Sequence, residues 1–132
     1  MRIMLDINVL ISYILFNNKM MNLFYDYILN NEQLILSNII VDEIRKVFKR
    51  KFSDKICVLE KFISDLDIEI INIDKIEPNL FQIRDANDYP ILYSAIKGNV
   101  DIFITGDNDF TDVDITKPKI MTIKQYITNF IL

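Results

Sequence analysis

Five short, largely apolar runs recur along this 132-residue chain, at residues 2–5, 34–36, 68–73, 102–104 and 120–122. Each is too short for a stable helix, and near-continuous apolar character marks strands covered on both faces. Between the runs the apolar residues change to helical spacing. Met20, Leu23, Phe24, Tyr27 and Ile28 form one stripe, with Asn17 and Asn18 placed to cap it. Ser37-Asn38 caps a second helix that puts Ile40, Ile44, Val47 and Phe48 on one face. Ser53-Asp54 opens a third, aligning Ile56, Leu59, Ile63 and Leu66. Asp88 to Lys97 reads as helix ending at Gly98, a short helix closes the chain, and 74–87 is the longest loop. Strands separated by helices predict an α/β fold with a parallel sheet covered on both faces. No repeat, low-complexity tract or linker interrupts the pattern, so one domain over residues 1–132 is expected.

Composition removes several chemistries. The chain has no histidine, which rules out His-based triads and His metal ligands. The single Cys57 cannot form an internal disulfide or a Cys-rich zinc site and fits a reducing compartment. With only Gly98 and Gly106, neither a Walker loop nor a dinucleotide fingerprint can be written. Asp6 and Asn8 break the N-terminal apolar stretch, so no secretory signal is read there. No apolar run approaches the roughly 20 residues of a membrane helix. A soluble, cytoplasmic protein without a membrane partner is expected.

What remains is carboxylate chemistry. Asp6 and Asp107 each follow an apolar strand, where parallel sheets bind their ligands. If the strands at 2–5 and 102–104 are neighbours, the two acids share a crevice. The plainer role is helix capping, as Asp often does. Asp88 shares the i, i+3, i+4, i+7 stripe with Ile91, Leu92 and Ala95, which turns it towards the sheet; capping ahead of Pro90 is the alternative. Glu43 flanks the Ile40 stripe by about 60°. Clustered carboxylates repel one another and lose solvation, and a hard divalent cation relieves both costs.

The net charge of −4 is compatible with a nucleic-acid substrate. Setting aside Asp6, Glu43, Asp85, Asp88, Asp107 and Asp109 leaves 13 of the 19 acids against 15 Lys and Arg. Two divalent ions would neutralise the chain. Residues 45–51 are its densest basic segment, and Lys46, Lys49 and Arg50 are the candidates for gripping a phosphate backbone; the alternative is a solvated salt-bridged face.

Taken together, these motifs resemble the PIN-domain ribonucleases, whose small single-domain members include toxins of bacterial and archaeal toxin–antitoxin pairs. Leu5 through Ser12 resembles the family's opening motif, and Ser37 through Ile44 its second. Arg84 through Leu92 with Ala95 resembles the third, and Asp101 through Phe110 the fourth. The resemblance implies a three-layer α/β/α sandwich with a central, mostly parallel sheet. It implies Mg²⁺ or Mn²⁺ held by Asp6, Glu43, Asp88 and Asp107, the catalytic carboxylates, with Asp109 as a further ligand. Asp85, Asn8 and Thr105 would be supporting polar groups. The implied activity is endoribonucleolytic hydrolysis leaving a 3′-hydroxyl end. The implied partners are RNA, an antitoxin encoded nearby and a second copy of the chain. Ile7 departs from the Thr or Ser common in the family, and Tyr93 is bulkier than expected.

Two readings from other classes stand beside this one. A PIN-like scaffold that binds RNA or protein without cleaving it would not need all four carboxylates. A phosphorelay receiver would match in length and use Asp6 and Lys119, but needs a phosphoacceptor Asp after a central strand, where residues 50–55 read as helix.

Overall fold

The computed structural model describes residues 1–16, 18–65, 67–110 and 112–132, the side chain of Asp65 excepted. Arg2–Leu5 (β1) leads into a helix over Ile7–Leu15 (α1) and a second over Lys19–Asn31 (α2). Gln33–Ser37 (β2), Asn38–Lys51 (α3), Ile56–Asp65 (α4) and Ile68–Ile71 (β3) follow. After a long loop come Tyr89–Lys97 (α5), Ile102–Ile104 (β4), Lys119–Met121 (β5) and Ile123–Tyr126 (α6). All four strand pairings are parallel, in the order β3-β2-β1-β4-β5.

Successive strand residues point to opposite faces, so a strand buried throughout must be covered on both. Ile3, Met4 and Leu5 of β1 are fully buried, and so, nearly, are Ile102, Phe103 and Ile104 of β4. The helices thus form the outer layers of an α/β/α sandwich, as expected. Only β3, an edge strand, has partly exposed residues throughout. The order also differs from the 2-1-3-4-5 arrangement of receiver domains, which removes that alternative. Among the described residues no helix is long and apolar enough to cross a membrane.

The helix at 7–15 was not expected. Its apolar residues outnumber the polar face of Asn8 and Ser12, which lies opposite the buried Val9, Leu10 and Tyr13; Asp6 starts it by accepting a hydrogen bond from the Ile7 N–H at 2.8 Å. On α2 the buried residues are Met21, Phe24 and Ile28, whereas Met20 and Leu23 are exposed. The inward stripe is therefore rotated from the predicted one. Asn18 caps this helix through the Met21 N–H, while Asn17 lies outside the described residues. On α3, Val41 joins Ile40, Ile44 and Phe48 inside, and Val47 is only partly buried.

The 53–55 segment forms a 3₁₀ turn before α4, which buries Leu59 and leaves Ile56 exposed; Leu66 lies outside the described residues. β3 stops at Ile71 instead of Ile73, because the Asn38 side chain takes over both backbone groups of Ile73. Thr122 is not strand but the N-cap of α6, in a capping box with Gln125. Gly98 ends α5, as the sequence indicates. A Cβ there would lie 2.9 Å from Ile71 Cδ1 and 3.1 Å from the Ser94 carbonyl oxygen.

Candidate functional site

From β1 the chain moves outward to β2 and β3 on one side, and from β4 to β5 on the other. The strand order therefore reverses between β1 and β4, and ligands of open parallel sheets bind beyond the strand carboxyl ends at such a point. Asp6 directly follows β1, and Thr105 to Asp107 directly follow β4. Asp6, Asn8, Glu43, Asp88 and Asp107 line one cavity of about 610 Å³ at this edge, with Ile7 in its wall. The four acids singled out from the sequence thus share one cleft, as the adjacency of β1 and β4 allows.

Asp6 is 6% exposed and held by two donors. Its Oδ1 accepts from the Ile7 N–H at 2.8 Å, and its Oδ2 from the Thr105 hydroxyl at 2.8 Å. Thr105 Oγ1 in turn accepts from the Asp107 N–H at 3.0 Å. Asp107 Oδ1 accepts from the Asp109 N–H at 2.9 Å, which closes the loop after β4 on itself. Capping and cavity lining coexist at Asp6. Its capping bond leaves the carboxylate beside the cleft.

Asp88 behaves differently. It ends a 3₁₀ turn over Ala86–Asp88 immediately before α5, and its side chain makes no capping bond. The cap of that turn is Asp85, which accepts from the Asn87 N–H. Asp88 Oδ2 is buried without a hydrogen-bond partner among the described residues. Below it the predicted stripe is buried: Ile91, Leu92 and Ala95. Oxygens of Asp85, Asp88 and Asp109 lie within 4.8 Å of one another. Asp85 and Asp109, secondary candidates in the sequence, therefore group with Asp88, although neither is among the residues lining the cavity.

The electrostatics follow from this crowding. Burial raises Asp88 to about 6, and the charges of Asp107, Asp85, Asp6 and Asp109 push the same way. Burial also raises Asp6, opposed by the Thr105 and Ile7 hydrogen bonds and reinforced by Asp107. Glu43 reaches the cavity from the first half of α3 and is itself exposed. Lys46, Lys49 and Arg50 are exposed on the same helix but do not line the cavity. Arg45 is committed to Glu60 at 2.7 Å.

Tyr93, the bulky departure, is buried and extends a stack: its ring lies 6.1 Å from Tyr89, which lies 4.4 Å from Phe81. Tyr89 also ties down the preceding loop, donating to the Glu77 carbonyl and accepting from the Leu80 N–H at 3.1 Å. Sequence reading singled out the bulk of Tyr93 but not its stacking on Tyr89 and Phe81. A further buried link escaped it too. The Ser37 hydroxyl donates to Ser94 Oγ at 2.8 Å, and Ser94 donates to the Pro90 carbonyl, joining the start of α3 to α5.

Comparison with known proteins agrees with this geometry. Residues 2–109 match the family described as PIN domain. Among curated proteins, none matches the chain. In fold it is similar to a chain in the crystal structure of VapBC2 from Rickettsia felis bound to a DNA fragment from their promoter. The TM-score is 0.68 at 18% identity, covering 92% of this chain and 97% of that one.

The raised acids set a pH dependence. In the folded protein Asp88 holds its proton up to about pH 6, whereas an unfolded Asp releases it near about pH 4. The folded state thus binds more protons in this window, and stability falls as pH rises through it. Melting of the metal-free protein in EDTA should occur at higher temperature near about pH 5 than at neutrality. Asp88→Asn should flatten that difference, and an unchanged profile in the variant would contradict the assignment.

Proposed function

The chain belongs to the PIN domain family, and from that premise we propose that residues 1–132 form one endoribonuclease domain. It hydrolyses RNA with Mg²⁺ or Mn²⁺ at the carboxylate cavity and acts in the cytoplasm as the toxin of a toxin–antitoxin pair. The observation that carries this reading is the convergence of Asp6, Glu43, Asp88 and Asp107 on one cleft at the switch point of the sheet.

The donor set fits a hard cation. Every ionisable group among the cavity residues is a carboxylate, and oxygen donors suit Mg²⁺ and Mn²⁺. The buried, unpartnered Asp88 Oδ2 is an atom that such an ion would satisfy. Asp6, Glu43, Asp88 and Asp107 would hold it, with Asp109 and Asp85 close to Asp88. When bound, the ion supplies Lewis-acid activation of the scissile phosphate and of a water nucleophile.

The remaining work belongs to the chain's own groups. Thr105 and the Ile7 N–H fix both oxygens of Asp6, so its carboxylate meets the substrate without reorganising. Asn8, on the first turn of α1, offers a neutral amide at the cavity wall. Lys46 and Arg50, three and seven residues beyond Glu43 on α3, lie along the same side of the helix and take the RNA backbone leading away from the cleft. The toxin role is supported by the fold likeness to a chain of the VapBC2 structure.

Asp6→Asn tests the proposal directly. The substitution is nearly isosteric, so the protein should fold, while RNA cleavage falls by orders of magnitude. The variant should also lose the thermal stabilisation that Mn²⁺ gives the wild type. Cleavage by the variant at the wild-type, EDTA-sensitive rate would contradict the mechanism. The basic stripe has its own check: Lys46→Ala with Arg50→Ala should weaken RNA binding and reduce its salt slope by about two. An unchanged slope would return these residues to a solvated face.

A further inference from the structure

A second cavity, of about 430 Å³, opens beside the acidic one, and the two share the walls formed by Ala86 and Pro90. Its character is the opposite. No charged residue lines it; the walls are apolar, from Ile76, Pro78, Ile83 and Tyr89, and the polar groups are the carboxamides of Asn79 and Gln82. Neither carboxamide has a side-chain hydrogen bond among the described residues, although both are exposed.

The loop that builds this cavity is long but braced. Tyr89 accepts from the Leu80 N–H at 3.1 Å and donates to the Glu77 carbonyl. Phe81, 7% exposed, stacks on the Tyr89 ring at 4.4 Å and 16°. Asn79 sits at φ +64°, the left-handed region that Asn tolerates better than most residues. A loop held this way presents Asn79 and Gln82 from a braced backbone.

We propose that this cavity takes the nucleobase next to the scissile phosphate, and that Asn79 and Gln82 read its edge. The inference rests on the nuclease reading and extends it to base preference. A nucleobase is flat, uncharged and apolar on its faces, with donors and acceptors on its edge, which matches the lining. A carboxamide pairs a donor with an acceptor and so can form bidentate bonds to a base edge. The shared wall lets one nucleotide place its phosphate at the carboxylates and its base in the neutral cavity. The other neighbouring cavities include charged residues, Asp107 and Lys119 in one and Arg84, Asp109 and Asp112 in another.

The test maps cut sites in a random-sequence, single-stranded RNA pool treated with the wild type and Mn²⁺. Gln82→Ala removes one carboxamide, and Asn79→Gly removes the other while keeping the left-handed backbone. The wild type should favour one base at a position flanking the cut by about tenfold. That bias should collapse towards equality in each variant, while any bias at more distant positions stays. Wild-type cutting with no flanking bias, or bias that survives both substitutions, overturns the base pocket and leaves the cavity to another occupant such as a protein segment. A wild type that cuts nothing in the pool with Mn²⁺ overturns the nuclease reading itself, and this inference with it.

Discussion

Thr105 joins two strand ends that would otherwise present only like charge to each other. Its hydroxyl donates to Asp6 Oδ2, and its oxygen accepts the Asp107 N–H. A hydrogen bond to a charged group contributes about 1.5–3 kcal/mol, enough to favour a fixed orientation of a carboxylate that burial disfavours. The bond spans β1 and β4, adjacent at the point where the strand order reverses. The site thus depends on the register of two central strands whose core residues are almost fully buried.

That register rests on apolar packing, and charge is handled differently at the two ends of the sheet. At the strand amino ends, acids are paired: Arg2 with Glu69 at 2.6 Å, and Lys117 with Asp101 at 3.3 Å. The guanidinium bonds hold Glu69 below the usual carboxylate range, and the Arg2 N–H and Lys117 do the same for Asp101. At the carboxyl ends, Asp6 and Asp88 are raised instead, and neither is in an ion pair among the described residues. The same fold therefore pairs one acidic set internally and leaves the other without a cationic partner among the described residues. Natural folds that leave charge uncompensated in a cleft commonly do so for a ligand.

Much of this could be read before the structure was known, for reasons specific to each element. The runs at 3–5, 34–36 and 102–104 are wholly apolar and short, as a strand buried on both faces requires. Asp88 was legible because a helical stripe includes it. Helix α1 was missed because its polar face is only Asn8 and Ser12, a weak contrast to the buried Val9, Leu10 and Tyr13 within a strongly apolar segment. On α2 the stripe was right at Phe24 and Ile28 but not at Met20 and Leu23, because Met20 and Met21 offer equal hydrophobicity and only the neighbouring elements decide which turns inward. Asp85, Asp88 and Asp109 come together through loop geometry, for which spacing in sequence carries no rule. The Phe81–Tyr89–Tyr93 stack belongs to the same class: its partners are separated by a loop whose path Tyr89 itself fixes.

The central claim is that crowded, partly protonated carboxylates await a divalent cation. Calorimetric titration of the metal-free protein with Mn²⁺, repeated in two buffers of different ionisation enthalpy, measures it directly. Near about pH 6, where Asp88 is close to half-protonated, binding should release about half a proton from that group. At about pH 8 the release should vanish while binding persists. Binding without proton release near pH 6, or no binding at either pH, would contradict the account.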